Sequence, residues 1–224
     1  MTDLSALWLS VRVTLGALIL ILPLGLGLGL VLAFKRFPGK AALETLLALP
    51  LVLPPTVIGY GLLLALGRGT PFGMWLNESV EVQLLFTTPG IVIAATVMAL
   101  PLFVRTATSA FSAVDPALLE AARLDGAGRW GLLVQVLVPL ASRGLLAGAL
   151  LAAARALGEF GATLMVGGSI PGKTETLPLA LYNAVQSGQD RVALATALWL
   201  TLAAFLLVFL VSHLHRTADS WLHG

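Results

Sequence analysis

Four stretches of 22 to 24 residues, 13–34, 45–67, 82–104 and 192–215, contain no Asp, Glu, Lys or Arg. A helix crossing the hydrocarbon core of a bilayer needs about 20 mostly apolar residues, so each stretch is long enough to span. Soluble domains carry about 25% charged residues, whereas this chain carries 11%, with 58% hydrophobic residues and a mean hydropathy of +0.96. A soluble chain of 224 residues could not hide that much apolar surface. A fifth span is expected at 144–166, apolar except for Arg155 and Glu159. The fold class read from this pattern is all-α: a polytopic membrane protein in one domain, 1–224. Its five spans are placed near 10–34, 43–66, 89–110, 144–166 and 192–213, with 111–140 as a loop. The third helix is expected to start near Pro89, where proline suits a first turn. The first span is too long, and too poor in preceding charge, for a cleaved signal peptide.

Composition removes several chemistries. There is no cysteine, which excludes disulfides, thiolate metal sites and Fe–S clusters. His213, His215 and His223 all fall in the last 12 residues, so no internal histidine cluster can hold haem or zinc or serve a catalytic triad. A net charge of +2 without a basic run gives no reason to expect nucleic acid. No metal site, no bound cofactor and no catalytic residue is expected in this chain.

Five spans place the termini on opposite sides. Lys35, Arg36, Lys40, Arg105, Arg123, Arg129, Arg143 and Arg216 fall on one side; Arg12, Arg68, Lys173 and Arg191 fall on the other. The positive-inside rule then puts the C-terminus in the cytoplasm and the N-terminus outside. The outer segment 167–191 is half apolar and contains Pro171 and Pro178, which suits a short re-entrant helix. About ten residues follow Ser212, so no anion-sensing domain is expected after the last span. Internal repeats, frequent in self-contained secondary transporters, are not evident.

Two nucleotide-binding patterns occur and fail on context. Residues 167–174, GGSIPGKT, fit GxxxxGK[ST], but Pro171 removes a backbone donor, Pro178 interrupts the helix that should follow, and no run of four apolar residues ends in an Asp to serve as a Walker B. Residues 126–131, GAGRWG, fit GxGxxG, but they follow a helical segment, and the acid expected about 20 residues later is missing. The Asn77–Ser79 sequon is read as chance.

The segment 115–139 reads differently. Asp115 suits an N-cap, with Pro116 at the first helical position. A short helix is expected to run to about Asp125, ended by Gly126 and Gly128. A second amphipathic stretch then leads to Pro139. Ala121 and Ala122 leave a flat face for another surface. A helix resting on lipid headgroups would also suit this pattern. The spacing of Glu120-Ala121-Ala122, Gly126, Val136, Val138 and Pro139 resembles the EAA loop of binding-protein-dependent ABC importer permeases, with valines replacing an Ile and a Leu. Residues 49–60, LPLVLPPTVIGY, and 155–163, RALGEFGAT, are similar to signatures of the oxyanion branch, and the first, with 170–178, to its molybdate type.

The resemblance implies a type I importer permease in a bacterial or archaeal cytoplasmic (inner) membrane, working as a homodimer. It implies two cytoplasmic ATPase subunits, which bind ATP and magnesium, and an extracytoplasmic oxyanion-binding protein. Glu120, Ala121, Ala122, Gly126, Gly128 and Pro139 would then couple to the ATPase. The substrate expected is molybdate; sulfate, thiosulfate or tungstate is the alternative within the branch, and a non-transporting membrane assembly subunit is the alternative outside it.

Energetics agree with a driven process. Moving a dianion into a negative-inside cell costs ~4.6 kcal/mol per 100 mV, and this chain has no motor motif. Pro54 and Pro55 break the second span, which makes them candidates for a path wall or a packing kink. Arg155 and Glu159 are four residues apart and can pair on one helix face, as path residues or as a structural ion pair. Gly25/Gly29 and Gly144/Gly148 have GxxxG spacing, and these, with Gly59 and Gly61, are read as sites of close helix approach, although such spacings also arise by chance in Gly-rich apolar sequence.

Overall fold

The computed structural model describes residues 4–79 and 83–219; His223 lies outside them. Every regular element among the described residues is helical. The helices are α1 (Leu4–Phe34), α2 (Lys40–Val52), α3 (Pro55–Leu66), α4 (Pro71–Glu78), α5 (Thr88–Ser112), α6 (Pro116–Leu124), α7 (Arg129–Gly131), α8 (Val138–Leu157), α9 (Gly161–Gly167), α10 (Leu177–Gln186) and α11 (Asp190–Asp219). A π-helical stretch, Leu132–Leu137, joins α7 to α8.

Among the described residues four helical runs are long and apolar enough to cross a membrane: Leu4–Phe34, Thr88–Ser112, Arg129–Leu157 and Asp190–Leu210. The bent pair α2 and α3 makes a fifth if counted as one span. Helix α5 is the centre of the bundle. Its most apolar window is 61% buried, against 28% for α1 and for Arg129–Leu157 and 11% for α11.

Glycine explains how α5 is enclosed. Lipid gives no hydrophobic drive for helices to associate, so close packing of small residues has to do it. A Cβ on Gly29 would lie 2.9 Å from the Ala107 Cβ, and one on Gly144 would lie 2.6 Å from the Ala110 Cβ. Gly25 of α1 and Gly148 of α8 both face the ring of Phe103, which is fully buried. Both GxxxG pairs therefore dock on neighbouring faces of α5, which share Phe103. Gly59 behaves likewise against α9, whereas Gly61 faces open space. The expected close approach at Gly61 is thus corrected: two residues along the helix turn it away from the contact.

The second span is broken more sharply than a kink. Each proline disfavours helical geometry in the residue before it. Leu53 (φ −72°, ψ 147°) and Pro54 (φ −53°, ψ 134°) are accordingly extended, and a new helix starts at Pro55. The axes of α2 and α3 differ by 113°.

The fourth span also departs from 144–166. The helical run begins at Arg129, ends at Leu157 and is followed after a short break by α9. Gly158 terminates α8 and Phe160 lies off helical geometry at φ −126°, ψ −55°. The loop expected over 111–140 is correspondingly shorter, since α5 continues to Ser112 and helix resumes at Arg129. Pro139 does not end a segment. The π-helical stretch stops at Val138, whose N–H reaches back to Leu133 O, so the wide turn lies just ahead of the proline that cannot donate to an α-helical ladder.

Candidate translocation and coupling sites

The two proline- and glycine-marked breaks, about 100 residues apart in sequence, meet in space. A Cβ on Gly161 would lie 2.9 Å from the Pro55 Cβ and 3.2 Å from the Thr56 N; one on Gly59 would lie 2.7 Å from the Ala162 Cα. Helices α3 and α9 therefore run side by side in the same direction from their breaks. Leu66, Ala94, Met98, Ala162 and Val166 pack into a small apolar cluster along them.

Arg155 and Glu159 sit at this junction. Arg155 Nη1 donates to Glu159 Oε2 at 2.6 Å. The pairing follows the expected i,i+4 spacing, but not on one helix face: Glu159 lies beyond the end of α8. Its other oxygen, Oε1, accepts the Ala162 N–H at 2.7 Å, so the carboxylate also caps the first turn of α9. A buried carboxylate engaged on both oxygens satisfies the rule that buried charge must be paired. The exposures are unequal: 1% for the Glu159 side chain and 27% for Arg155. By the α5–α8 glycine contacts, Arg155 stands seven residues, about 10 Å, beyond Gly148 on the side away from α6. Arg105 and Arg143 also fall within long helices, each nearer the α6 end.

The other end of the bundle carries α6. Asp115 Oδ1 accepts the Ala117 N–H at 2.9 Å and Pro116 opens the helix, as the sequence indicates. The helix stops at Leu124. Gly126 N and Ala127 N bond back to Arg123 O and Ala122 O, each at 3.0 Å, and Gly126 has φ +89°, a left-handed conformation natural to glycine. Gly128 is extended, at φ −67° and ψ 170°. Leu119 anchors α6 in the core beside Leu137. Glu120 and Ala121 are exposed and Ala122 is half-buried. Leu124 and Trp130 flank them at 89% and 78% exposure, too apolar for an end of the bundle that faces only water. That pair was not singled out in the sequence, although a Trp four residues after Gly126 was a readable signal.

The two nucleotide-like patterns are closed structures. In 167–174 the N–H groups of Lys173, Thr174 and Glu175 all point to Ile170 O, at 3.0, 2.9 and 3.1 Å. Thr174 is fully buried; its hydroxyl donates to Gly167 O and accepts from Ile170 N. Those amides are therefore not available to a phosphate. Residues 126–131 follow α6, a helix, and not a strand. Segment 167–191 contains α10, whose Leu177, Pro178, Leu179 and Ala184 are buried against α1 and α11. Among the described residues no group of three His, Asp or Glu side chains is placed to hold a metal ion.

A family model described as "Binding-protein-dependent transport system inner membrane component" matches residues 25–223. The chain belongs to this family. Its relatives include the "Molybdenum transport system permease protein ModB" of Escherichia coli K12, 40% identical over 207 residues, 92% of this chain and 90% of that one. The "Putative molybdenum transport system permease protein YvgM" of Bacillus subtilis is 45% identical over 175 residues, covering 78% and 77%. Among solved structures, a bacterial alginate ABC transporter in complex with its pentasaccharide-bound periplasmic protein superposes with a TM-score of 0.76 at 18% identity, covering 97% of this chain and 80% of that one. That likeness extends the family assignment to the fold: the chain has the architecture of a type I importer permease.

Proposed function

We propose that this chain is the membrane-spanning subunit of a molybdate importer, driven by ATP hydrolysed on a separate subunit. The observation that carries the reading is the junction of two broken spans around Arg155, in a chain 40% identical over nearly its whole length to a molybdenum permease. Broken helices and a charge at depth are affordable only where protein or a water-filled cavity surrounds them. Pro54 and Pro55 shape one side of the path and Arg155 supplies positive charge for a dianion. Glu159 completes the group.

The complex on this reading holds two copies of the chain, two ATPase subunits carrying ATP and magnesium, and an extracytoplasmic binding protein that delivers the anion. Helix α6, with Glu120, Ala121 and Ala122, sits in a cleft of the ATPase, with Gly126 and Gly128 forming its turn and Pro139 marking the start of the following span. The α6 end faces the cytoplasm, with the C-terminus inside and the N-terminus outside, a reading the arginine and lysine distribution supports.

The test is uptake of labelled molybdate and labelled sulfate by cells with and without this chain. Molybdate uptake that depends on the chain is expected. Uptake of sulfate alone would move the chain to the sulfate type, and uptake of neither would refute the transport reading.

A further inference from the structure

We infer that Glu159 is a positioning residue for the transported anion, a built-in competitor that holds Arg155 and limits how tightly a tetrahedral dianion binds it. This rests on Arg155 being a path residue, as proposed above. The asymmetry of the pair points to it. The carboxylate is sealed in protein and fixed from behind by the Ala162 N–H, whereas the Arg155 side chain is more than a quarter exposed. Glu159 is the one partner Arg155 has among the described residues, so most of its N–H donors remain unengaged. Taking an ion pair out of water is repaid only when its remaining donors are also satisfied, and among the described residues those of Arg155 are not.

An arginine fork binds oxyanions in two-point fashion, and at low dielectric an unopposed one would hold a dianion strongly. A path must release what it binds. The carboxylate supplies the opposing charge at the same guanidinium. It cannot drift away when the anion arrives, because α9 is anchored to its other oxygen. The anion takes the free N–H donors, and the retained Glu159 contact keeps the complex weak. The two oxygens thus do separate work, cap and competitor, and substitutions can separate them. Glu159→Gln keeps an acceptor for the Ala162 N–H and turns an NH2 toward Arg155, which frees the guanidinium.

The experiment uses the complex of this chain with its ATPase subunits in nanodiscs. Equilibrium binding of labelled molybdate is measured without binding protein, and the rate of uptake is measured with it. Glu159→Gln is expected to retain molybdate about tenfold more tightly, the scale of coupling between close charges, while its maximal uptake rate falls by a similar factor. Arg155→Gln should abolish retention in either background. Wild-type retention and uptake in an assembled Glu159→Gln complex would overturn the inference. The double variant Arg155→Gln/Glu159→Gln covers the case in which Glu159→Gln fails to assemble. A neutral pair can hydrogen-bond in the same place, so a merely structural role predicts normal uptake, and normal uptake at normal membrane levels would overturn the path role of Arg155 on which the inference rests. If the wild-type complex neither binds nor imports molybdate or sulfate, the failure lies with the oxyanion reading itself.

Discussion

A single methyl group on α3 tests whether the junction of the two breaks matters. A Cβ on Gly59 would stand 2.7 Å from the Ala162 Cα and 2.8 Å from the Met165 Cβ. Ordinary carbon contacts lie at about 3.5–4.0 Å. The Ala162 Cα is backbone and has no rotamer through which to retreat. Gly59→Ala must therefore move α3 and α9 apart by about 1 Å. Overpacking of this kind costs roughly 1–3 kcal/mol, and the better helix propensity of alanine offsets up to about 1 kcal/mol. The net loss, roughly 0–2 kcal/mol, is too small to unfold the helical bundle. It falls at a sensitive place, however, one turn from Pro55 and against the residue whose N–H Glu159 caps. A displacement of 1 Å at a functional group can cost up to about a hundredfold in rate. Gly61→Ala is the control, since Gly61 has nothing within 4 Å and lies on the same helix. Both variants are expected at wild-type membrane levels. In the labelled-anion assay Gly59→Ala should lose at least about tenfold in uptake and Gly61→Ala should match wild type. Equal uptake by the two, with assembly intact, would refute the claim that the α3–α9 contact shapes the path.

The Gly126→Val variant places a β-branched side chain at φ +89°, where it costs about 1 kcal/mol or more; it should insert and fold but stimulate the ATPase poorly, read as uncoupled or lost hydrolysis in the reconstituted complex. Ala121→Glu, which puts an added charge on the exposed face of α6, should reduce co-purification of the ATPase subunit while leaving membrane levels unchanged. Lys173→Ala should leave ATPase activity of the complex intact, because the amides of the 170–175 turn are already bonded to Ile170 O; loss of nucleotide binding with folding preserved would show that the turn had been misjudged.

What the sequence made legible divides along physical lines. The long apolar runs, the Asp115–Pro116 helix start and the left-handed Gly126 turn depend on neighbours within a few residues, and local chemistry defines them. The Pro54-Pro55 break belongs to the same class, because each proline acts on the residue before it. Its 113° angle does not, and neither does the packing of α3 against α9 that accompanies it. The Arg155–Glu159 pair was readable from spacing, but its setting was not. The i,i+4 rule assumes an unbroken helix, whereas Gly158 ends α8 between the two residues and leaves the carboxylate free to cap α9. Pro139 misled in the opposite direction. Read as a boundary, it lies in a continuous helical run because a π-helical turn ahead of it absorbs the missing donor. Gly61 shows that glycine content alone does not identify a contact: Gly59, two residues away, faces α9 and Gly61 does not. That the 49–60 and 155–163 segments touch is a long-range fact no local rule reaches.

The same geometry ties the two candidate sites into one mechanical element. Leu119 of α6 packs in the core cluster with Leu137, the last residue of the π-helical stretch. From there the run continues without a break to Leu157 and carries Arg155 in its final turn. A helical run of 29 residues from Arg129 to Leu157 is about 43 Å long, enough to join one side of a bilayer to the other. Glycines 144 and 148 hold this run so close to α5 that side chains cannot cushion a tilt. Displacement of α6 must therefore be absorbed at the π-helical turn or appear at Arg155. The π turn is the place in the run where the hydrogen-bond ladder already departs from the α pattern, so re-registering it breaks the fewest bonds. An importer moving a dianion against ~4.6 kcal/mol per 100 mV needs its driven end and its anion end to move in step. On the proposed reading, this chain packs its driven helix α6 against the run that carries the anion end, with the π-helical turn between the contact and Arg155.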